Sequence, residues 1–167
     1  MKKILLVSAM LIAFTAGTFA QSTDTEQTTA TATIVGPLAL TKVSDMNFGT
    51  IAVGAVAGTV VLGTDNSRTP TNVTLVPPAA GIAASFTVAG EASRTFAITL
   101  PADGTVSLAG PGVAMPVSTF VHNAGVNPSL NGSGAAAFTV GATLTVNASQ
   151  ASGGYTSANF PVTVSYN

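Results

Sequence analysis

Alternation with a period of two, in short runs, is the feature that most limits what this chain can become. Thr95-Phe96-Ala97-Ile98-Thr99-Leu100 and Thr143-Leu144-Thr145-Val146 put polar and apolar side chains on opposite faces, the pattern of a half-buried strand. Comparable runs rich in β-branched residues recur at 47–52, 59–62, 72–76, 85–88, 105–108, 117–121, 137–140 and 159–166. Gly, Pro, Asn and Asp punctuate them at turn-like spacing. Beyond residue 20 no segment keeps helical spacing over three turns, and the Ala-rich piece 79–84 is broken by Gly81 behind Pro77-Pro78. The pattern predicts an all-β fold, an antiparallel immunoglobulin-like β-sandwich. A closed outer-membrane barrel is the structural rival. Its strands need roughly 9–11 residues and aromatic girdles, whereas these runs are shorter and the whole chain has 8 Phe, 2 Tyr and no Trp.

Charge is scarce. Five Lys+Arg and six Asp+Glu give a net charge of −1, and 7% of residues are charged where a soluble domain carries about 25%. That balance does not suit a nucleic-acid surface, and 47% hydrophobic residues do not suit a disordered acidic chain. The absence of cysteine excludes a disulfide framework and thiolate zinc sites, so stability must come from the core or from a partner.

Residues 1–20 read as a secretory signal. Lys2 and Lys3 precede an apolar stretch at 4–14, and small residues then lead to Thr18-Phe19-Ala20. The stretch falls short of the ~20 residues of a spanning helix, so no membrane span is expected in the mature chain. Export by the general route implies the periplasm, the cell surface or the exterior. Residues 21–29 form a polar tail containing Asp24 and Glu26, and 30–167 is expected to be one domain. Past residue 20 only Lys42, Arg68 and Arg94 are basic, which leaves little charge to guard strand edges.

Catalytic patterns do not emerge. His122 is the single histidine, and no Gly-x-Ser-x-Gly elbow accompanies it, so a Ser/His/Asp triad has no support. Asp24, Glu26, Asp45, Asp65, Glu91 and Asp103 lie in the tail or in turn-like contexts, without the pairing a glycosidase needs. Asp65-Asn66 is the one candidate calcium pair and reads as a turn. The expectation is a non-enzyme with no catalytic residues, no metal and no cofactor.

The two ends of the mature region carry the most specific signals. Ala30, Ala32, Ile34, Gly36, Leu38 and Leu40 share one parity, opposite Thr31, Thr33, Val35, Pro37 and Ala39. Near the other end Phe160, Val162, Val164 and Tyr166 alternate with Pro161, Thr163 and Ser165, and Gly154 stands fourteenth counting back from Asn167. An alternating final strand with that Gly and a penultimate Tyr resembles the pilin subunits of the chaperone–usher pathway. The order of the 30–40 row, then Asp45-Met46-Asn47-Phe48-Gly49-Thr50-Ile51, then the Phe-x-Val-x-Val-x-Tyr row resembles a family of small secreted bacterial sandwich domains of unassigned function. That family lies near the pilin-like and spore-coat-U-like domains. The resemblance implies a fimbria-like structural or adhesive surface subunit. In it, the 30–40 row acts as a donor strand for the next subunit, and the C-terminal row acts as an edge for self-association or a periplasmic chaperone. The alternative is a self-complete secreted monomer that binds a polysaccharide or host ligand. A hydrolase is a further alternative without a residue set to support it.

Overall fold

The computed structural model describes residues 23–167, and the expected signal at 1–20 lies outside the described residues. Residues 23–33 carry no secondary structure and are exposed, and a compact unit spans Ile34–Asn167. Twelve strands make up that unit, and no helix occurs among the described residues. In chain order they are β1 (Ala39–Ser44), β2 (Ile51–Ala52), β3 (Gly58–Leu62), β4 (Arg68–Thr71), β5 (Thr74–Leu75) and β6 (Ala84–Ala89). There follow β7 (Phe96–Thr99), β8 (Val106–Ala109), β9 (Met115–His122), β10 (Ala135–Val146), β11 (Thr156–Ser157) and β12 (Thr163–Tyr166).

All pairings are antiparallel, so the expected all-β antiparallel fold is what forms. The main sheet has the order β1-β6-β10-β9-β8-β11, with β3 and β4 attached beside the far half of β10. β7–β12 and β2–β5 form two small sheets that pack on its inner face. Phe96 and Ile98 of β7 and Val164 and Tyr166 of β12 join Phe86, Val88, Phe138 and Val140 in one core cluster. Ile51 and Leu75 pack against a second, built on Val60, Leu62, Met115, Val117, Leu144 and Val146. Met46 and Phe120 touch both clusters.

The hub is β10. Its period-two pattern turns Phe138, Val140, Ala142, Leu144 and Val146 inward, and Phe138 stacks on Phe86 with ring centroids 5.3 Å apart. The sequence suggested two runs here, split at Gly141. One strand passes straight through instead, because Gly141 is needed for close approach: a Cβ there would run into the carbonyl oxygen of Leu62. β4, which the alternation did not suggest, contains Pro70 and lies at a sheet edge, where a missing donor is tolerated. The two expected end runs, by contrast, are strand only in part. Pairing starts at Ala39, and at the far end it covers Thr163–Tyr166.

β9 holds a local distortion. Thr119 has φ = 52°, a β-branched residue in the left-handed region, where the β9–β10 register slips. The Asp103 carboxylate accepts its N–H at 2.6 Å and pins the bulge. A Thr119→Gly variant keeps that bond and removes the steric cost, so it is expected to gain about 1 kcal/mol in urea unfolding.

Candidate functional site

The sandwich is not closed along its whole length. One pole of the main sheet is where β1 starts, with Ala39 opposite Ala89 and Ala89 opposite Ala135. The other is where Gly58 meets Val146. Between β1 and β2 the chain leaves the main sheet, as does the chain between β11 and β12 on the other side. Residues 45–53, from the end of β1 through β2, and residues 150–160, from beyond β10 through β11, form the two walls of a cleft of about 1040 Å3. Its floor is the inner face of the main sheet, with Phe86, Leu108, Met115, Leu144 and Val146.

Each wall is braced from behind. On the first, Asn47 exchanges backbone hydrogen bonds with Ile82 at 2.8 Å in both directions, and Val76 donates to the Thr50 carbonyl. Arg68 of β4 donates from its guanidinium to the carbonyls of Phe48, at 2.9 Å, and Ala79, at 2.5 Å. The turn that launches β4 is held in turn by Asn66, whose Oδ1 accepts from Ala83 N at 2.7 Å. The second wall is latched to the β8–β9 loop. Tyr155 accepts from Gly112 N at 2.9 Å and donates to the Ala151 carbonyl at 2.8 Å. Gln150, the buried polar residue among the described residues, donates to the Val113 carbonyl and accepts from Asn147. Ser149 N also bonds Gly54 O, tying the walls together at the second pole.

Backbone pairing differs between the walls. Residues 158–162 lie outside any strand and make no backbone hydrogen bond within the described residues. β12 pairs with β7 alone. The edge of β1, on the other side, carries a register slip between Lys42 and Ser44 and a Lys42–Asp45 ion pair at 2.5 Å, features that discourage further pairing.

The row expected at the N-terminal side divides. Ala30 and Ala32 are exposed and outside any strand, and Ile34 is 95% exposed. Gly36 N lies 3.4 Å from the Glu91 carboxylate. Leu38 and Leu40 instead pack against the domain's own core. The row expected at the C-terminal side points inward throughout: Val162, Val164 and Tyr166 pack on the first core cluster, and Phe160 packs on the second. Phe160 also lines the cleft and lies 5.6 Å from Phe120. Gly154 lines it too, and a side chain added there would meet open space. The Tyr166 hydroxyl accepts from Glu91 N at 2.7 Å.

Titratable groups outside the cleft have structural surroundings. His122 is half-buried at the end of β9, edge-on to Phe138, with Nδ1 unpaired among the described residues. No cluster of metal-ligating side chains occurs among the described residues. Asp65 is held below the usual carboxylate range by the Ser67 hydroxyl and then by the Ser67 amide. A lowered folded pKa means stability that is present above the unfolded value and lost as pH falls through the folded one. The wild type is therefore expected to lead Asp65→Asn slightly in melting temperature at neutral pH, with the gap closing below pH ~4.

Arg68 carried no signal in the sequence as a site residue. It sits in an ordinary turn context, and its partners are backbone carbonyls distant along the chain. No helix among the described residues is long and apolar enough to cross a membrane. No curated protein and no solved structure matches the chain. The family described as Domain of unknown function (DUF4402) matches residues 38–166, beginning where the chain enters its own core and ending at Tyr166. The chain belongs to the DUF4402 family.

Proposed function

We propose that this chain is an exported, non-enzymatic structural or adhesive subunit of the cell surface, which assembles with copies of itself through β-strand edges. The observation that carries this reading is the cleft whose walls are each braced from behind. A gap between loosely held segments would collapse, since apolar surface is driven together, whereas braced walls hold a shape that an added strand completes. A strand within a sheet occupies ~150 Å3 per residue, from a spacing of ~4.8 Å, a layer depth of ~10 Å and a rise of ~3.3 Å. The cleft then has room for about six or seven residues.

The extension ahead of Leu38 has suitable chemistry. Its residues 30, 32, 34 and 36 are Ala, Ala, Ile and Gly on one parity, small except for one aliphatic anchor. Strand addition draws affinity from main-chain bonds and specificity from alternate side chains, and residues 158–162 offer unpaired backbone, all but Pro161 with an N–H as well as a carbonyl. Export is supported by the residue pattern at 1–20, and a periplasmic chaperone would protect the same edge before assembly.

Sedimentation of the full chain across a concentration series tests the reading. The wild type is expected to form concentration-dependent oligomers, and Ile34→Asp to remain largely monomeric with an unchanged fold. A wild type that stays monomeric at every concentration would overturn the proposal and favour a self-complete monomer that binds a polysaccharide or host ligand.

A further inference from the structure

The extension and the cleft carry complementary charge, and this fixes the direction in which one enters the other. Among the described residues Lys42 is the one cation lining the cleft, at the end nearer the first pole, and Asp45 is the one acid beside it. Lys42 uses one of its donors on Asp45, and both side chains are exposed, at 56% and 80%. In the extension, Asp24 and Glu26 are the only charged residues between 21 and 41. They share parity with Ala30, Ala32 and Ile34, so an extended segment presents acids and apolar side chains on the same face.

Resting on the assembly reading above, we infer that residues 24–36 of a second copy run along the cleft in one orientation, with the six or seven residues that end at Ile34 inside it, Asp24 and Glu26 at its Lys42 rim and Ile34 toward the second pole. The lengths agree. Glu26 and Ile34 are eight residues apart, ~26 Å as a strand. Lys42, just ahead of the first wall, and Val53, at its end, are eleven residues apart, so at most ~40 Å, and the turn at Gly49 shortens that. In this orientation Ile34 lies over Met115, Leu144 and Val146, at the end of the apolar floor away from Lys42. The inserted segment also runs antiparallel to residues 158–162, whose chain climbs from β11 toward Tyr166 at the first pole. The reverse orientation puts Ile34 at the charged end and the two acids over the apolar floor, where desolvation opposes them.

Asp45 competes with the incoming carboxylates for Lys42, so its removal is informative. Association of the full chain is measured by sedimentation at low and high salt for Lys42→Glu, Asp45→Asn, an Asp24→Lys/Glu26→Lys variant, and all three Lys/acid swaps combined. Lys42→Glu and the extension swap are each expected to weaken association about tenfold at low salt, with the combination restoring most of it. Asp45→Asn is expected to strengthen it, and high salt to narrow all of these differences. Lys42→Gln guards against a local folding defect and is expected to weaken association less than Lys42→Glu. If the wild type assembles but the swaps leave its affinity unchanged, or the combined variant is not rescued, this orientation is wrong while the assembly reading stands. If the wild type does not assemble, the assembly reading fails and this inference with it.

Discussion

Replacing Arg68 by Met is expected to cost about 3 kcal/mol of stability, read as a lower urea midpoint with an unchanged slope. The guanidinium is half-buried and its two hydrogen-bond partners are backbone carbonyls, those of Phe48 and Ala79. Met keeps much of the aliphatic stem, which packs beside Leu62 and Gly81, so the loss isolates the polar end. Two half-buried acceptors then lack donors, and each charge-assisted bond is worth ~1.5–3 kcal/mol before relaxation. Lys is expected to recover little, since a single ammonium does not reach two carbonyls in the fixed fork geometry of Arg. Because neither partner is a carboxylate, the loss should be the same at pH 5 and pH 8. The Phe48 carbonyl belongs to the cleft wall, so Arg68→Met is also expected to weaken self-association at temperatures where the monomer is still folded.

A Gly141→Val change should be at least as damaging, at ~3–5 kcal/mol, or enough to prevent folding. The obstacle is the Leu62 carbonyl, with Gly63 and Thr64 backbone close behind, and backbone does not rotate aside as a flexible side chain does. The site lies where β3 ends beside β10 and where the β9–β10 register slips, so a side chain there pushes apart two neighbours of the central strand. Thermal melting of Gly141→Val against Gly141→Ala checks this. Both should be destabilised, Val more.

Much of the strand content was legible because burial on one face writes a period of two directly into sequence. β6, β7, β8 and the two halves of β10 follow that rule. What escaped are places where one residue serves a distant one. Gly141 resembles a break until the Leu62 carbonyl beside it is known, and Pro70 conceals an edge strand. Alternation alone also does not say whose sheet a segment joins. Leu38 and Leu40 continue the parity of Ala30, Ala32 and Ile34, yet the first two enter their own core and the others remain outside it. The cleft was not legible: the segment from Asp45 to Ile51 stands out only as part of the family resemblance, and its role as a wall depends on Arg68, Ile82 and residues 150–160.

The scarcity of charge takes on meaning in this setting. Of the strand edges, β1 has Lys42 and a register slip and β4 has Pro70, while β12 has neither charge nor proline within it and Pro161 removes a single donor from the segment ahead of it. An unguarded edge next to an open cleft is a liability in a free monomer and a binding surface in an assembly.

Disulfide trapping tests the central claim most directly, because the chain has no cysteine of its own. Ile34→Cys in the extension and Ala158→Cys on the cleft wall are combined in one chain and oxidised gently, with Ile34→Cys plus Thr71→Cys on the β4 edge as control. In the inferred orientation, a strand of one copy lying in the cleft of the next brings the first pair within the ~7 Å Cα separation a disulfide allows. The account predicts a ladder of covalent oligomers for the first pair and none for the control. Monomer alone, with or without an internal disulfide, would contradict it.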